Sequence, residues 1–385
     1  MREIFHLSTL AIKKKLKILK EDEKVLLKSL RKENSISKKT DFENIVKKIS
    51  DYALIDKEEA WRSIVNRTSQ QNPVPVYESG RRSWYKYAAA ASLVLLFSVS
   101  YFLVTKNNTS VKKNEVVNTI IEIGKDKATL TLEDGSVVDL EKDSIYKNSN
   151  ASSNGKRIVY NSGNQFTASN ILTVPTGGQF NVELADGTRV WLNSESKLKF
   201  PVAFKDGETR QVELIYGEAY FQVSHSTAHK GSHFKVLSRG QNVEVLGTEF
   251  NLKAYNDEES VYTTLVNGKV SLSNKNITGK ILQPGQQSVT DSEGNTAFYI
   301  RQVDVFNEVS WKEGVFSFNE MKLKDIMKVL SRWYDVKVVF KKTENENVLI
   351  NGILDKDQKI EEILTIISNT NKIPYEINQK TIIFK

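Results

Sequence analysis

The chain has 385 residues, 39% of them apolar, a formal net charge of +8 and no cysteine. That length exceeds one ordinary core and predicts two or three domains, while the lack of cysteine excludes disulfides, thiolate catalysis and Cys-ligated zinc. Residues 1–86 carry 20 Lys/Arg against 12 Asp/Glu, so the whole positive excess sits there and the remainder balances at 35 of each.

The N-terminal stretch reads as several short helices without a strand signal. Leu26, Leu27 and Leu30 mark one helix after "KEDEK". "TDFENIVKKI" opens with a capping box from Thr40 to Glu43 and sets Phe42, Ile45, Val46 and Ile49 on one face. "DKEEAWRSIVNR" repeats the device from Asp56 to Glu59, with Trp61, Ile64 and Val65 on its face. So few amphipathic helices bury a limited core, so Leu26, Leu30, Phe42, Ile45, Trp61 and Ile64 are candidates either for packing on one another or for holding a partner. The positive charge suits nucleic acid or an acidic protein; with no base-reading features, the acidic protein is the reading. "TSQQNPVPVYESG" (68–80) is a polar tether containing proline.

From Tyr87 to Thr105 there is no charge over 19 residues. A helix of that length rises about 28 Å, close to the hydrocarbon thickness of a bilayer. Trp84, Tyr85 and Tyr87 at one end and Tyr101 and Phe102 at the other suit interfacial belts, and Arg81, Arg82 and Lys86 against Lys106 place the N-terminus on the cytoplasmic side.

Beyond it the period changes to two. "ATLTLEDGSVVDL" and "FNVELADGTRVWL" each read as strand, Asp-Gly, strand, and predict two-residue type I′ hairpins at Asp134-Gly135 and Asp186-Gly187. Asp206-Gly207 and Asn267-Gly268 carry the same signal, and together these turns predict an all-β antiparallel domain with a weak internal repeat. In the last 75 residues, Leu323, Ile326, Met327, Leu330 and Trp333 share one helical face, and Ile360, Ile363, Leu364 and Ile367 another. Between them lie strand-like runs in the order strand, helix, strand, strand, helix, strand, strand, a small α+β module with a sheet edge open to strand addition. The predicted fold is multi-domain: a small all-α N-terminal domain with its tether (1–82), one transmembrane helix (83–105), an all-β antiparallel domain (106–305) and a C-terminal small α+β domain (306–385).

"VELADGTRVWLNSESKLKFP", "GEAYFQV", "VLGTEFNLKAY", "TTLVNGKVSL" and "LQPGQQ", in that order, resemble the periplasmic domain of FecR-type transmembrane anti-sigma regulators. "WKEGVFSFNEMKLKDIMKVLSRWYDVKVVF" with "INGIL" resembles their C-terminal domain, related to the short N-terminal domain of secretins and TonB-dependent receptors. The likeness covers about residues 170–385, and an "AWRSI"-like stretch before the apolar run agrees in position; an aromatic often found in the family's second helix is Ser29 here. The resemblance implies a single-pass inner-membrane protein, N-terminus cytoplasmic and C-terminus periplasmic. It would bind an extracytoplasmic-function sigma factor and relay a signal from a TonB-dependent outer-membrane transporter. Site proteases would act in the relay, and the regulated genes would serve iron or glycan uptake. Phe316, Phe318 and Trp333 are candidates for receptor docking. The competing class is a membrane-anchored periplasmic scaffold or ligand-binding protein, with Trp191 and Trp311 as binding aromatics; both alternate with apolar residues and read as packed.

No enzyme motif of the hydrolase, zinc-protease, P-loop or dinucleotide type occurs, and no cofactor is expected. Gly247-Thr248 in "VLGTEF" resembles the bond at which some family members self-cleave, the Thr248 hydroxyl attacking the Gly247 carbonyl. The plainer reading, which we favour, is a glycine that permits close approach followed by a strand-favouring threonine. His225, His229 and His233 recur every fourth residue, yet "HSTAHKGSHF" is rich in Ser, Thr and Gly and predicts a solvated loop rather than a metal site; His6 reads as an ordinary helix residue.

Overall fold

Alternation along each strand puts every second side chain into a core. Leu172 and Val174, Phe180 and Val182, Val190 and Leu192, and Leu198 and Phe200 are buried, while the residues between them are not. The computed structural model describes residues 120–141, 145–161 and 168–385. Strands run in chain order as β1 (Lys125–Thr131), β2 (Val137–Glu141), β3 (Tyr146–Lys147), β4 (Ala151–Ser153), β5 (Arg157–Tyr160) and β6 (Ser169–Val174). There follow β7 (Gly178–Glu183), β8 (Arg189–Leu192), β9 (Ser196–Pro201), β10 (Arg210–Gln222), β11 (Phe234–Ser238) and β12 (Gln241–Val245). The last six are β13 (Glu249–Ala254), β14 (Ser260–Asn267), β15 (Val270–Ser273), β16 (Lys280–Leu282), β17 (Gln286–Asp291) and β18 (Tyr299–Gln302).

Their pairing folds into two layers. One has the order β2-β1-β6-β9-β10-β11-β12-β15-β16, the other β3-β4-β5-β7-β8-β10-β13-β14-β17-β18. Rings from the two layers meet inside: Tyr160 lies edge-on to Phe200 at 5.2 Å, and Phe221 stacks on Phe250 and faces Phe234. β10 belongs to both layers because it bends at Gly217. Arg210–Leu214 pair with β11, and Gly217–Gln222 with β13. The register against β9 slips between Leu214 and Tyr216, and Gly217 has φ +101°, where a Cβ would come within 2.3 Å of Ser196 Oγ. Only glycine fits such a bend.

The turns differ from the type I′ expectation. At the first hairpin Leu132 N donates to Ser136 O, and at the second Leu184 N donates to Thr188 O, so each loop has three residues. Gly135 (φ +82°) and Gly187 (φ +79°) alone take positive φ, which is the three-residue loop closed by a glycine bulge. Asp134 and Asp186 instead accept from the backbone of Ser136 and Thr188. Asn267-Gly268 closes no hairpin: β14 pairs with β13 and β17, β15 with β12 and β16, and the turn carries the chain from one layer to the other.

Helix α1 (Val305–Val309), capped by Asp304, and a 3₁₀ turn (Ser310–Glu313) lead into the last module. Its elements are β19 (Val315–Lys322), α2 (Leu323–Tyr334), β20 (Lys337–Phe340), α3 (Thr343–Glu346), β21 (Leu349–Asp355), α4 (Ile360–Asn371), β22 (Tyr375–Asn378) and β23 (Thr381–Phe384). β19 pairs with β21, and β23 lies between β20 and β22. The apolar faces of α2 and α4 form a second core, separate from that of the sandwich.

The fold class expected from the sequence needs correction. Among the described residues 48% are strand and 16% helix, and no helix is long and apolar enough to cross a membrane. The longest, α2 and α4, have 12 residues each and rise about 18 Å. A small all-α N-terminal domain is therefore not supported; the segments 1–82 and 83–105 lie outside the described residues. The physical reason is that spacing and capping signals report local preference, while short helices are marginal in water until tertiary packing covers an apolar face. In the described part that packing comes chiefly from strand pairing.

Candidate functional site

The last turn of α2 is where the C-terminal module meets the sandwich. The helix ends at Asp335 in a left-handed cap (φ +51°), and this presents Arg332 to the sandwich loops. The Arg332 side chain is 6% exposed and reaches three carboxylates: Glu195 at 3.2 Å, Glu258 at 3.2 Å and Asp257 at 2.5 Å. Its guanidinium carbon lies 3.6 Å from the centre of the Tyr255 ring. Burial works against the Arg332 charge, but the surrounding Tyr255, Glu258 and Asp257 outweigh it and leave the group more basic than usual. The tyrosine is held in turn, its hydroxyl donating to Ser194 O at 3.0 Å.

A second cation lies deeper. Lys356, 2% exposed, donates to Gln179 Oε1 at 2.8 Å and Trp311 O at 3.3 Å, and its Nζ sits 3.7 Å from the centre of the Trp333 ring. Among the described residues no carboxylate is bonded to it, and burial pulls it down to about 7 although Glu218 and Asp126 nearby favour the charge. The Trp333 indole donates to Lys356 O at 3.0 Å. Beside these groups a cleft of about 510 Å³ is lined by Glu218, Lys253, Arg301, Trp311 and Phe316 among others. Glu218 is spoken for, accepting from Asn193 and Asn251 at 2.9 Å each.

The arrangement is that of a latch between module and sandwich. A buried guanidinium in a fork of carboxylates gives directional attachment, and such pairs are costly to break one partner at a time. Nothing in the sequence pointed to it: Lys356 stands in the polar run "LDKDQKI", and Arg332 lies between two residues of an ordinary amphipathic helix.

The structure places the residues expected from the sequence as follows. Phe316, Phe318 and Trp333 are all buried, the two phenylalanines stacked at 6.1 Å in the module's core. The i, i+2 spacing of the phenylalanines on a strand and the tryptophan's place on a helical face put all three in the module's core rather than on its surface. Trp311 is buried and donates to Asn251 Oδ1, and Trp191 packs edge-on to Tyr220. Gly247 has φ +155° and lies against His225, where a Cβ would stand 2.5 Å from Cδ2 of the ring. Thr248 is buried and donates to Lys269 O at 2.9 Å. The three histidines have separate partners: His225 meets Thr227, His229 meets Ser224 Oγ at 2.8 Å, and His233 meets Glu244. Among the described residues no group of three or more His, Asp or Glu could hold a metal ion. Leu26, Leu30, Phe42, Ile45, Trp61 and Ile64 lie outside the described residues.

Each of the two bodies joined by this latch contains a family match. Residues 170–271 match the FecR protein family and residues 315–384 the FecR C-terminal family. Two crystal structures of a candidate anti-sigma factor from Parabacteroides distasonis ATCC 8503 are similar to the chain. Each has 27% identity and a TM-score of 0.50, and the match covers 56% of this chain and 98% of that one. Among curated proteins nothing matches. The two family matches and this likeness together support a FecR-type anti-sigma factor with a role in signal transduction.

Proposed function

We propose that the chain is a single-pass inner-membrane relay. Its basic N-terminal segment binds an extracytoplasmic-function sigma factor in the cytoplasm, with Leu26, Leu30, Phe42, Ile45, Trp61 and Ile64 on the contact surface. The uncharged run 87–105 seats it in the bilayer, and the sandwich and C-terminal module face the periplasm. There the module receives the signalling domain of a TonB-dependent outer-membrane transporter, and the sigma factor controls genes for nutrient uptake, iron or glycan. The message passes by protein contact and stepwise proteolysis, without enzymatic chemistry of the chain's own and without a cofactor; the bonded, buried Thr248 hydroxyl supports a structural role for Gly247-Thr248.

The observation that carries this reading is the module's open sheet edges next to a breakable junction. Among the described residues β20 and β22 each pair on one side only, and Val339 of β20 is half exposed. Such edges accept an added strand. Two pull-downs test the reading, one of the full chain from cells and one of a variant lacking residues 1–82. The full chain is expected to retain a sigma factor and the shortened one to lose it. A full chain that retains none, with transcription unaltered on its deletion, favours a periplasmic scaffold instead.

A further inference from the structure

Residues Ile121–Gly124, just ahead of β1, are seated on the C-terminal module rather than on the sandwich that β1 helps to build. Ile121 is 5% exposed and belongs to the module's core, with Ile123 packed against it. Gly124 lies under the indole of Trp333: a Cβ there would stand 2.5–2.6 Å from three ring atoms. Gly124 is not among the positive-φ glycines, so the need for glycine is spatial. The ring covers the backbone directly.

Two polar bridges tie the start of β1, which follows directly, to the latch. The peptide of Gly177 faces both ways, its carbonyl accepting from Lys125 N at 3.1 Å and its N–H donating to Arg332 O at 2.7 Å. The Gln179 side chain does likewise, donating to Asp126 Oδ1 at 3.1 Å and accepting from Lys356 at 2.8 Å. Beyond them Thr176 Oγ1 donates to Asp335 at 2.8 Å. The last turn of α2 thus cannot leave the sandwich without giving up the Arg332 carboxylates, the Gly177 bridge and the ring over Gly124 together.

We infer that Ile121–Gly124 is a strap clamped by the C-terminal module, so that displacing the module from the sandwich frees this stretch while Lys125 and Asp126 stay paired with Gly178 and Gln179 of β7. Coupling of this kind is reciprocal, and the strap helps hold the module down as much as the module holds the strap. The strap deepens the proposed relay by supplying its mechanical step, and rests on that reading only for the direction of the signal.

Hydrogen exchange on the full chain, with neither sigma factor nor transporter present, tests it separately from the relay. Two variants are compared with wild type, and amides of β7 and β8 report whether the sandwich stays folded. Gly124→Ala pushes on the Trp333 ring. Glu195→Gln/Asp257→Asn/Glu258→Gln strips Arg332 of its carboxylates without touching the strap or the module. In both, exchange in 121–124 and in the last turn of α2 is expected to rise together, by about tenfold or more. The inference is overturned if the triple variant loosens α2 while 121–124 keeps the wild-type rate, or changes neither. It is equally overturned if Gly124→Ala loosens the strap and leaves α2 protected. Should Gly124→Ala lose protection throughout β7 and β8 as well, the triple variant alone decides.

Discussion

The sandwich core and the latch hold the same unit together by opposite means. Inside the sandwich, Leu198, Phe221, Phe234 and Phe250 are almost wholly buried and bury apolar surface whose value scales with area and not with direction. At the latch a few charged groups, Arg332 and Lys356 foremost, are buried among rings and carbonyls, where each bond depends on geometry and each lost partner leaves a charge to be rehydrated. A core of the first kind resists small displacements in proportion to its size. A junction of the second kind holds or lets go. That difference suits the proposed relay, in which the module would report a contact without the sandwich unfolding.

The comparison can be broken first at its apolar end. Phe221→Ala removes a ring stacked on Phe250 at 4.9 Å, and should cost about 3–5 kcal/mol in urea unfolding; a loss under about 1 kcal/mol would show that the two layers are not packed as described. The next largest effect is a pH dependence. Lys356 stands at about 7 in the folded chain and near 10.4 when unfolded, so between those values the unfolded chain binds more protons. Stability should therefore rise with pH from about 7 toward 10, by up to about 1.4 kcal/mol per pH unit, with the penalty fully present below 7. Lys356→Met should abolish that slope while changing stability at pH 7 by about 1 kcal/mol or less; an unchanged slope in this variant would place the titration elsewhere.

At the latch itself Arg332→Ala should cost about 2 kcal/mol, less than a fully buried pair because Glu195 and Asp257 are half exposed and rehydrate. Arg332→Lys keeps the charge without the fork and should recover only part of this. Protease susceptibility of α2 against that of β6–β9 shows whether the loss is local, as expected. The smallest effect is at Thr248, where Thr248→Ala forfeits the hydroxyl's bond to Lys269 O and the longer one it accepts from Lys269 N, about 1 kcal/mol. The wild-type chain should run as one band on a gel; two fragments that vanish in Thr248→Ala would give this bond a chemical role.

Much of the fold was legible because strand and helix periods are local properties. The alternation around Asp134-Gly135 and Asp186-Gly187 does produce hairpins, and the order of elements from Val315 on is the order read from the runs of apolar residues, save for the one-turn helix α3 between β20 and β21. The turn type was not legible. Asp-Gly fits two loop lengths, and the Asp side chains bond the next strand's backbone instead of taking positive φ. Asn267-Gly268 looks like its neighbours yet changes layers, since a turn signal says that the chain reverses and not which strand receives it. Phe316, Phe318 and Trp333 were read as a docking surface because aromatic residues suit interfaces and cores equally. Only burial separates the two.

What the sequence by itself determined is the family likeness and the alternation that makes nearly half of the described chain strand, since both are written in neighbouring residues. What tertiary structure alone decided is the latch and the strap. Arg332 meets Glu195 across 137 positions, Gln179 meets Lys356 across 177, and Gly124 lies beneath Trp333. Contacts at such separations depend on how layers and helices close on one another, and no local pattern of charge or hydropathy encodes which polar residue the closure will bury.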